Sequence, residues 1–421
     1  MTDHESGIGR KIAYYRARKG LSQRDFAPLI KRSEAWVSQV ERGVRPVKAL
    51  DVLERIAEVL DIPVAELAPT APAAQAEPIP ADALALRLLL ATDHALAAAV
   101  ADPRPEPDLD RLAEQAESAW TCTRQARYAD LHALLSAVLP ELARAAVVSV
   151  RAAALLADVY QVWSVALAEL DQFDAAWAAG ERAVGAAQHC GDPVLLAACV
   201  FRRTIVFQRA QQLDLARRTA ESARAALGAL LDKPEPRALI VYGALTLQSA
   251  VIAARAEDAE QALEMLGRAR KAASALGADR EEYRVEFGPR AVVLHEVAVA
   301  VELGDAGTAI RLAAKVDPGS LTDFHRARLL VDTARAWAQR RNPPRALALL
   351  LEAETLAPEY LYRQRVVRST TADLLSIDQG TLGLGEFAQR IGVEMPYVPP
   401  SAGRPGAPRG GLRAARGPRT R

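Results

Sequence analysis

Few residues of this 421-residue chain are spaced for covalent chemistry. It has no phosphate-binding glycine loop, no His-Glu-x-x-His and no Gly-x-Ser-x-Gly. His295-Glu296 lacks the second histidine that a zinc site would place three positions on. Gly383-Leu384-Gly385-Glu386-Phe387-Ala388 spells a dinucleotide fingerprint, but no strand precedes it and its surroundings read as helix. The expectation is a protein that is not an enzyme and uses no cofactor and no metal. The chain does concentrate charge. Residues 8–48 hold eleven Lys and Arg against Asp25, Glu34 and Glu41, a net +8. Residues 396–421 hold six Arg and no acid, and residues 69–395 are acidic, with 35 basic against 42 acidic side chains. A compact basic segment beside an acidic remainder is the electrostatic footprint of nucleic-acid binding.

The elements that must position this charge can be read from Leu21 to Gly43, LSQRDFAPLIKRSEAWVSQVERG. Ser22 can cap a helix opening at Gln23, with Phe26, Ala27 and Ile30 inward. After a polar break, Lys31-Arg32-Ser33, Ser33 can cap a second helix running to about Arg42, with Val37 and Val40 inward. Two short helices joined by a three- to four-residue turn describe a helix-turn-helix, whose second helix enters the major groove N-terminus first. Ile8, Ile12 and Tyr15 make a helix before it. Leu50, Leu53, Ala57 and Leu60 make a fourth, and Pro63 opens a short fifth.

Residues 8–67 resemble the Cro/phage-repressor (xenobiotic-response-element) helix-turn-helix family, in the form common in actinobacterial regulators. The matching residues are Arg16, Leu21-Ser22-Gln23, Ala27, Ser33, Val37, Ser38, Val40 and Glu41-Arg42-Gly43. Two positions depart from the family pattern. Lys31 stands where glycine is usual, and a left-handed conformation there costs a non-glycine residue roughly 1–2 kcal/mol. Pro28 sits inside the second helix and removes one backbone bond.

The resemblance implies roles residue by residue. Gln23 stands beside the DNA backbone, where it could brace a side chain reaching a base. Glu34, Ala35, Ser38 and Gln39 meet base edges, and their chemistry agrees. Gln reads adenine bidentately, Glu accepts from cytosine N4, and an Ala methyl packs on thymine. For Glu34 a second reading stands beside this one, since an acid in a first turn is stabilised by the helix dipole alone. Arg42, Arg45 and Lys48 contact phosphates, giving affinity without sequence information. Arg16 and Glu41 form a structural ion pair clamping the first helix to the third. Trp36 lies between faces and reads as core support rather than a base-stacking platform.

The remainder reads as helices in pairs. QFDAAWAAGERA from Gln172 and QLDLARRTAESA from Gln212 are followed by looser copies from Glu257, Gly304 and Asn342. Aligned, they place Ala176, Ala216, Ala262, Ala309 and Ala346 in register, with Ala183, Ala223, Ala269, Val316 and Ala353 seven residues on. Small residues at this spacing let antiparallel helices approach closely. The motif resembles the second helix of the tetratricopeptide repeat, with Pro358 placed as that family's repeat-ending proline. Spacings of 40, 46, 47 and 37 residues exceed the family's ~34. The expected fold is all-α: a five-helix domain at 8–67, a Pro/Ala linker at 68–82, a tetratricopeptide-like α-solenoid of about six or seven helix pairs at 83–395, and a disordered basic tail at 396–421.

One stretch breaks the rhythm. ADREEYRVEFGPRAVVLHEV, residues 278–297, brings Tyr283, Phe287, Arg290 and His295 into a region otherwise built of Ala, Leu and Val. If a helix over 286–303 lines the concave face, these four form an effector pocket in which Arg290 receives a carboxylate such as a peptide terminus. The other reading has Tyr283 and Phe287 filling core while Arg290 is solvated.

Cys122, Cys190 and Cys199 form no disulfide framework. The N-terminus has no apolar signal core, and no stretch approaches ~18 uncharged apolar residues. These features imply a cytoplasmic protein without a membrane partner. The expected function is a sequence-specific transcriptional regulator that binds an inverted-repeat operator in double-stranded DNA as a homodimer. Its repeat domain would dimerise it and sense a peptide, small molecule or protein. The alternative is an adaptor whose repeats bind a protein partner, with the DNA module as a tether.

Overall fold

Two serine caps and one apolar stripe build the amino-terminal unit. The computed structural model describes residues 5–42, 47, 50–60, 62, 67, 79–92, 96, 107–231, 235–378 and 380–393. The chain divides into two units, residues 1–80 and 81–421. In the first, α1 is Glu5–Arg18, α2 Gln23–Leu29, α3 Glu34–Glu41 and α4 Leu50–Leu60. The Ser22 side chain accepts from the Asp25 amide and that of Ser33 from the Trp36 amide, satisfying N–H groups that each helix leaves open. Ile12, Phe26, Ala27, Ile30, Val37, Val40, Ile56 and Leu60 close a core around them. Of the expected fifth helix only Leu67, buried, is described.

The turn between α2 and α3 takes the conformation its length demands. Lys31 has φ +53°, and the Arg32 amide donates to the Ala27 carbonyl at 2.9 Å. That is the Schellman arrangement, ordinarily served by glycine. Pro28 is accommodated on the exposed side of α2.

The second unit repeats the same turn. After α5 (Ala81–Leu89), six helix pairs follow among the described residues: α6 Leu109–Arg124 with α7 Tyr128–Ala145, α8 Val150–Glu169 with α9 Phe173–Gln188, and α10 Pro193–Arg209 with α11 Leu213–Gly228. Then come α12 Pro236–Arg255 with α13 Ala259–Leu276, α14 Pro289–Glu302 with α15 Ala306–Ala313, and α16 Asp323–Gln339 with α17 Pro343–Leu356. Between the members of each pair one residue turns left-handed: Ala126, Asp171, Gln211, Glu257, Gly304 and Arg341. The next amide in each case donates five residues back, as from Gln172 to the Leu167 carbonyl at 2.8 Å. A short α18 (Pro358–Tyr362) leads to a seventh pair, α19 Arg365–Ile377 and α20 Leu384–Arg390.

Ala176, Ala216, Ala262, Ala309 and Ala346, aligned in the sequence, are all fully buried. A methyl is all the space between paired helices accepts. Seven residues on, Ala183, Ala269 and Ala353 are also buried, while Ala223 and Val316 are half-exposed. The spacing of 46 takes in the 20-residue α12, and that of 47 takes in the segment 278–288 before α14. The first helix α8, also 20 residues long, precedes the first of the aligned alanines. Both α8 and α12 are long and apolar enough to cross a membrane by length and composition, closer to that limit than the sequence reading allowed. Most of each is buried among neighbouring helices.

The sequence reading is corrected at 278–288. The helix expected from residue 286 begins only at Pro289, and a two-stranded antiparallel hairpin precedes it, β1 Arg280–Glu282 and β2 Val285–Phe287. Val285 and Phe287 are buried and Glu286 between them is exposed, the two-residue alternation of a half-buried strand. Gly288 is required by close approach: a Cβ there would lie 2.5 Å from the Asp279 Cα. Residues 68–78 of the expected linker and the tail at 396–421 lie outside the described residues.

Candidate nucleic-acid interface

The four-residue joint between α2 and α3 is braced by α1. Arg16 of α1 donates to Glu41 at the end of α3 through Nε at 2.6 Å and Nη2 at 2.8 Å, and through Nη1 to the Leu21 carbonyl at 2.7 Å. Gln23, the first residue of α2, donates to the second Glu41 oxygen at 2.7 Å. Both charged side chains are largely buried, 14% and 6% exposed. The hydrogen bond to Glu41 holds the Arg16 guanidinium above its ordinary range. One carboxylate thus ties α1, α2 and α3 together and sets the angle between the last two. Gly9 lets α1 lie against the end of α3, where a Cβ would come within 2.1 Å of the Val40 carbonyl oxygen.

On the outer side, Glu34, Ala35 and Arg42 are exposed, and Ser38 and Gln39 are partly exposed. Val37 and Val40 point into the core. Trp36 is partly buried against the core, and the Arg32 guanidinium stacks over its ring at 5.7 Å from the centroid. The Arg42 Nε donates to the Ser38 carbonyl at 3.2 Å. Gln23 serves the Glu41 brace as well as standing at the start of α2. Arg45 and Lys48 lie outside the described residues.

A helix of eight residues, capped by serine, held by a buried ion pair and showing its polar side outward, has the dimensions of a groove-reading element. The family model described as a helix-turn-helix domain matches residues 8–69. Residues 8–69 are a DNA-binding helix-turn-helix domain of the Cro/phage-repressor type. No curated relative matches the chain. Among solved structures, PlcR of Bacillus thuringiensis, in complex with the peptide PapR7 and DNA, is similar at 16% identity. That match covers 65% of this chain and 96% of PlcR, with a TM-score of 0.24.

In the second unit, the four residues singled out for an effector pocket separate. Phe287 is 1% exposed and packs against Gly243 of α12, where a Cβ would meet its ring at 2.2 Å. The Tyr283 hydroxyl donates to Asp192 at 2.5 Å and accepts from Arg237. His295 is buried, with Nδ1 2.7 Å from the Ala291 carbonyl and Nε2 facing Arg328 at 3.2 Å. Arg290 lies at the mouth of a cavity of about 190 Å³, which it shares with Phe287, Glu286 and His325. Two of the four therefore meet and two do not. The strand alternation turns Phe287 inward, and His295, five residues past Arg290 and so roughly 140° round the helix, lies under the surface. His325, brought in by α16, is 3.0 Å from Glu286 and had no signal in the local sequence.

Burial, reinforced by repulsion from Arg328 and then His325, pushes the His295 imidazole down to about 3, so it folds neutral. Its contribution to stability is therefore present above the unfolded histidine value near 6.5 and is lost as pH falls towards 3. Between pH 7 and pH 5 this one group is expected to remove about 2 kcal/mol from the repeat unit. Thermal melts of the full chain at the two pH values should show a loss that His295→Gln reduces. Equal pH dependence in both proteins would contradict a buried neutral histidine.

Proposed function

We propose that the chain is a sequence-specific transcriptional regulator of the cytoplasm that binds an inverted-repeat operator as a homodimer. In this reading α3 enters the major groove with Glu34, Ala35, Ser38 and Gln39 towards base edges and Gln23 beside the backbone. Arg42, Arg45 and Lys48 neutralise phosphates. The repeat unit joins two copies and senses a peptide, small molecule or protein, with Arg290 at the 190 Å³ cavity as one contact. The observation that carries the reading is the Glu41 brace, which fixes α3 while leaving Glu34, Ala35 and Arg42 exposed. A side chain that reads a base and one that contacts phosphate differ in what their loss does. Gln39→Ala should cost about 1–3 kcal/mol on the operator and relax one base-pair preference, with little change on random DNA. Arg42→Ala should weaken both DNAs alike and lower the salt slope by about one. Fluorescence anisotropy with both DNAs at several salt concentrations decides it. Equal losses for Gln39→Ala on operator and random DNA would remove α3 from the reading role.

A further inference from the structure

The hairpin between α13 and α14 reaches far along the chain. Its strands are anchored up to the turn, with Val285 and Phe287 in the core and Glu282, paired with Val285, held by Arg237 at 2.9 Å. Its tip is Tyr283-Arg284, at φ +48° and +61°. A two-residue turn of this kind favours Asn-Gly, and here both positions carry full side chains. Tyr283 is held through its hydroxyl by Asp192 and Arg237, and Arg284 is held by its own side chain. It pairs with Glu117 of α6, comes within 3.8 Å of Asp158 of α8, and lies over the Trp120 ring at 5.9 Å from the centroid. Trp120 in turn donates through Nε1 to Asp158 at 3.0 Å. The half-buried Arg202 stacks over Trp120 at 5.3 Å and donates to the main-chain carbonyl of Arg284. The cluster grips a guanidinium, its flat face and the carbonyl of the same residue, which together define an arginine within a peptide chain.

Three features make this occupant exchangeable. The tip conformation is one that side chains disfavour. The Arg284 side chain is 29% exposed and Glu117 55% exposed, so the contact is open to solvent. A cavity of about 340 Å³, bounded by Arg151, Leu155, Asp158, Glu281, Tyr283 and Arg284, adjoins it with room for further residues of a ligand.

We propose that Trp120, Asp158, Glu117 and Arg202 form an arginine-binding site which Arg284 fills as an internal ligand, and that an arginine-bearing peptide takes the site by displacing the hairpin tip. The inference rests on the reading of the repeat unit as the sensor and gives that sensor a ligand class. Guanidinium is favoured over ammonium because it stacks on an indole while its edges serve two carboxylates. Calorimetric titration of the full chain with N-acetyl-arginine amide and N-acetyl-lysine amide tests it. Arg284→Gly removes the occupant and suits the turn, so it should bind the arginine amide about tenfold more tightly than the parent chain. That factor is expected when an occupant filling the site nine times in ten is removed. Adding Asp158→Asn should abolish the gain, and the lysine amide should show a smaller one. The thermal transition of each variant establishes that it is folded, and Arg284→Gln serves in place of Arg284→Gly should the latter unfold. No gain in the folded variant, or a gain that survives Asp158→Asn, overturns the proposal. DNA is absent from the titration, so a failure to bind any operator would count against the regulator reading alone.

Discussion

Arg16→Ala should unfold the amino-terminal unit while leaving the repeat unit intact. The substitution removes three hydrogen bonds and strands Glu41, 6% exposed, with Gln23 as its remaining partner. Breaking a buried pair from one side costs about 3–5 kcal/mol. A small domain has only about 5 kcal/mol or little more to lose. Hydrogen exchange on the full chain separates the two units, and amides of α1 to α4 should exchange at least about 100-fold faster. Arg16→Lys keeps the charge without the bidentate geometry and should fall between. Unchanged protection in Arg16→Ala would mean that the Glu41 brace does not hold the domain together.

Gly9→Ala should damage the same unit to a smaller degree, for a reason of space rather than charge. The added Cβ would sit 2.1 Å from the Val40 carbonyl oxygen and 3.0 Å from that of Glu41, both backbone atoms that cannot rotate away. Ordinarily alanine gains about 1 kcal/mol over glycine within a helix. Here that gain is offset by forced separation of α1 from α3, and a net loss of about 1–3 kcal/mol is expected. Gly185→Ala in α9, where a Cβ meets nothing within 4 Å, should instead stabilise its own unit by about 1 kcal/mol. Denaturation of the three proteins, followed by exchange within each unit, should show opposite signs. A neutral Gly9→Ala would contradict the close approach of α1 to α3.

Both predictions concern contacts that were unequally visible in the residues. Ser22, Ser33, Val37 and Val40 announced α2 and α3 because caps and apolar spacing act within a few positions. The aligned alanines did the same for the helix pairs, since close packing repeats at every turn of the stack. Lys31 was expected to need a left-handed backbone and has one. That Asp171, Gln211, Glu257 and Arg341 share it was not legible, because no glycine marks them. The hairpin was missed because three-residue strands give too few alternations to outweigh the flanking helical pattern. The partners of its tip, Glu117 and Asp158, lie more than a hundred residues earlier and owe their place to how the pairs stack. The effector candidates separated for the same reason: proximity in sequence put Tyr283, Phe287, Arg290 and His295 on one list, and the strand-to-helix junction sent them to different sides.

The central claim is that α3 reads a defined DNA sequence, and selection by the full chain from a pool of random duplexes tests it most directly. The account predicts enrichment of an inverted repeat with half-sites about 34–36 Å apart, or a multiple of that, with a Gln39→Ala chain losing preference at one position in each half. Recovery of duplexes with no shared sequence, from a chain whose amino-terminal unit is folded, would contradict it.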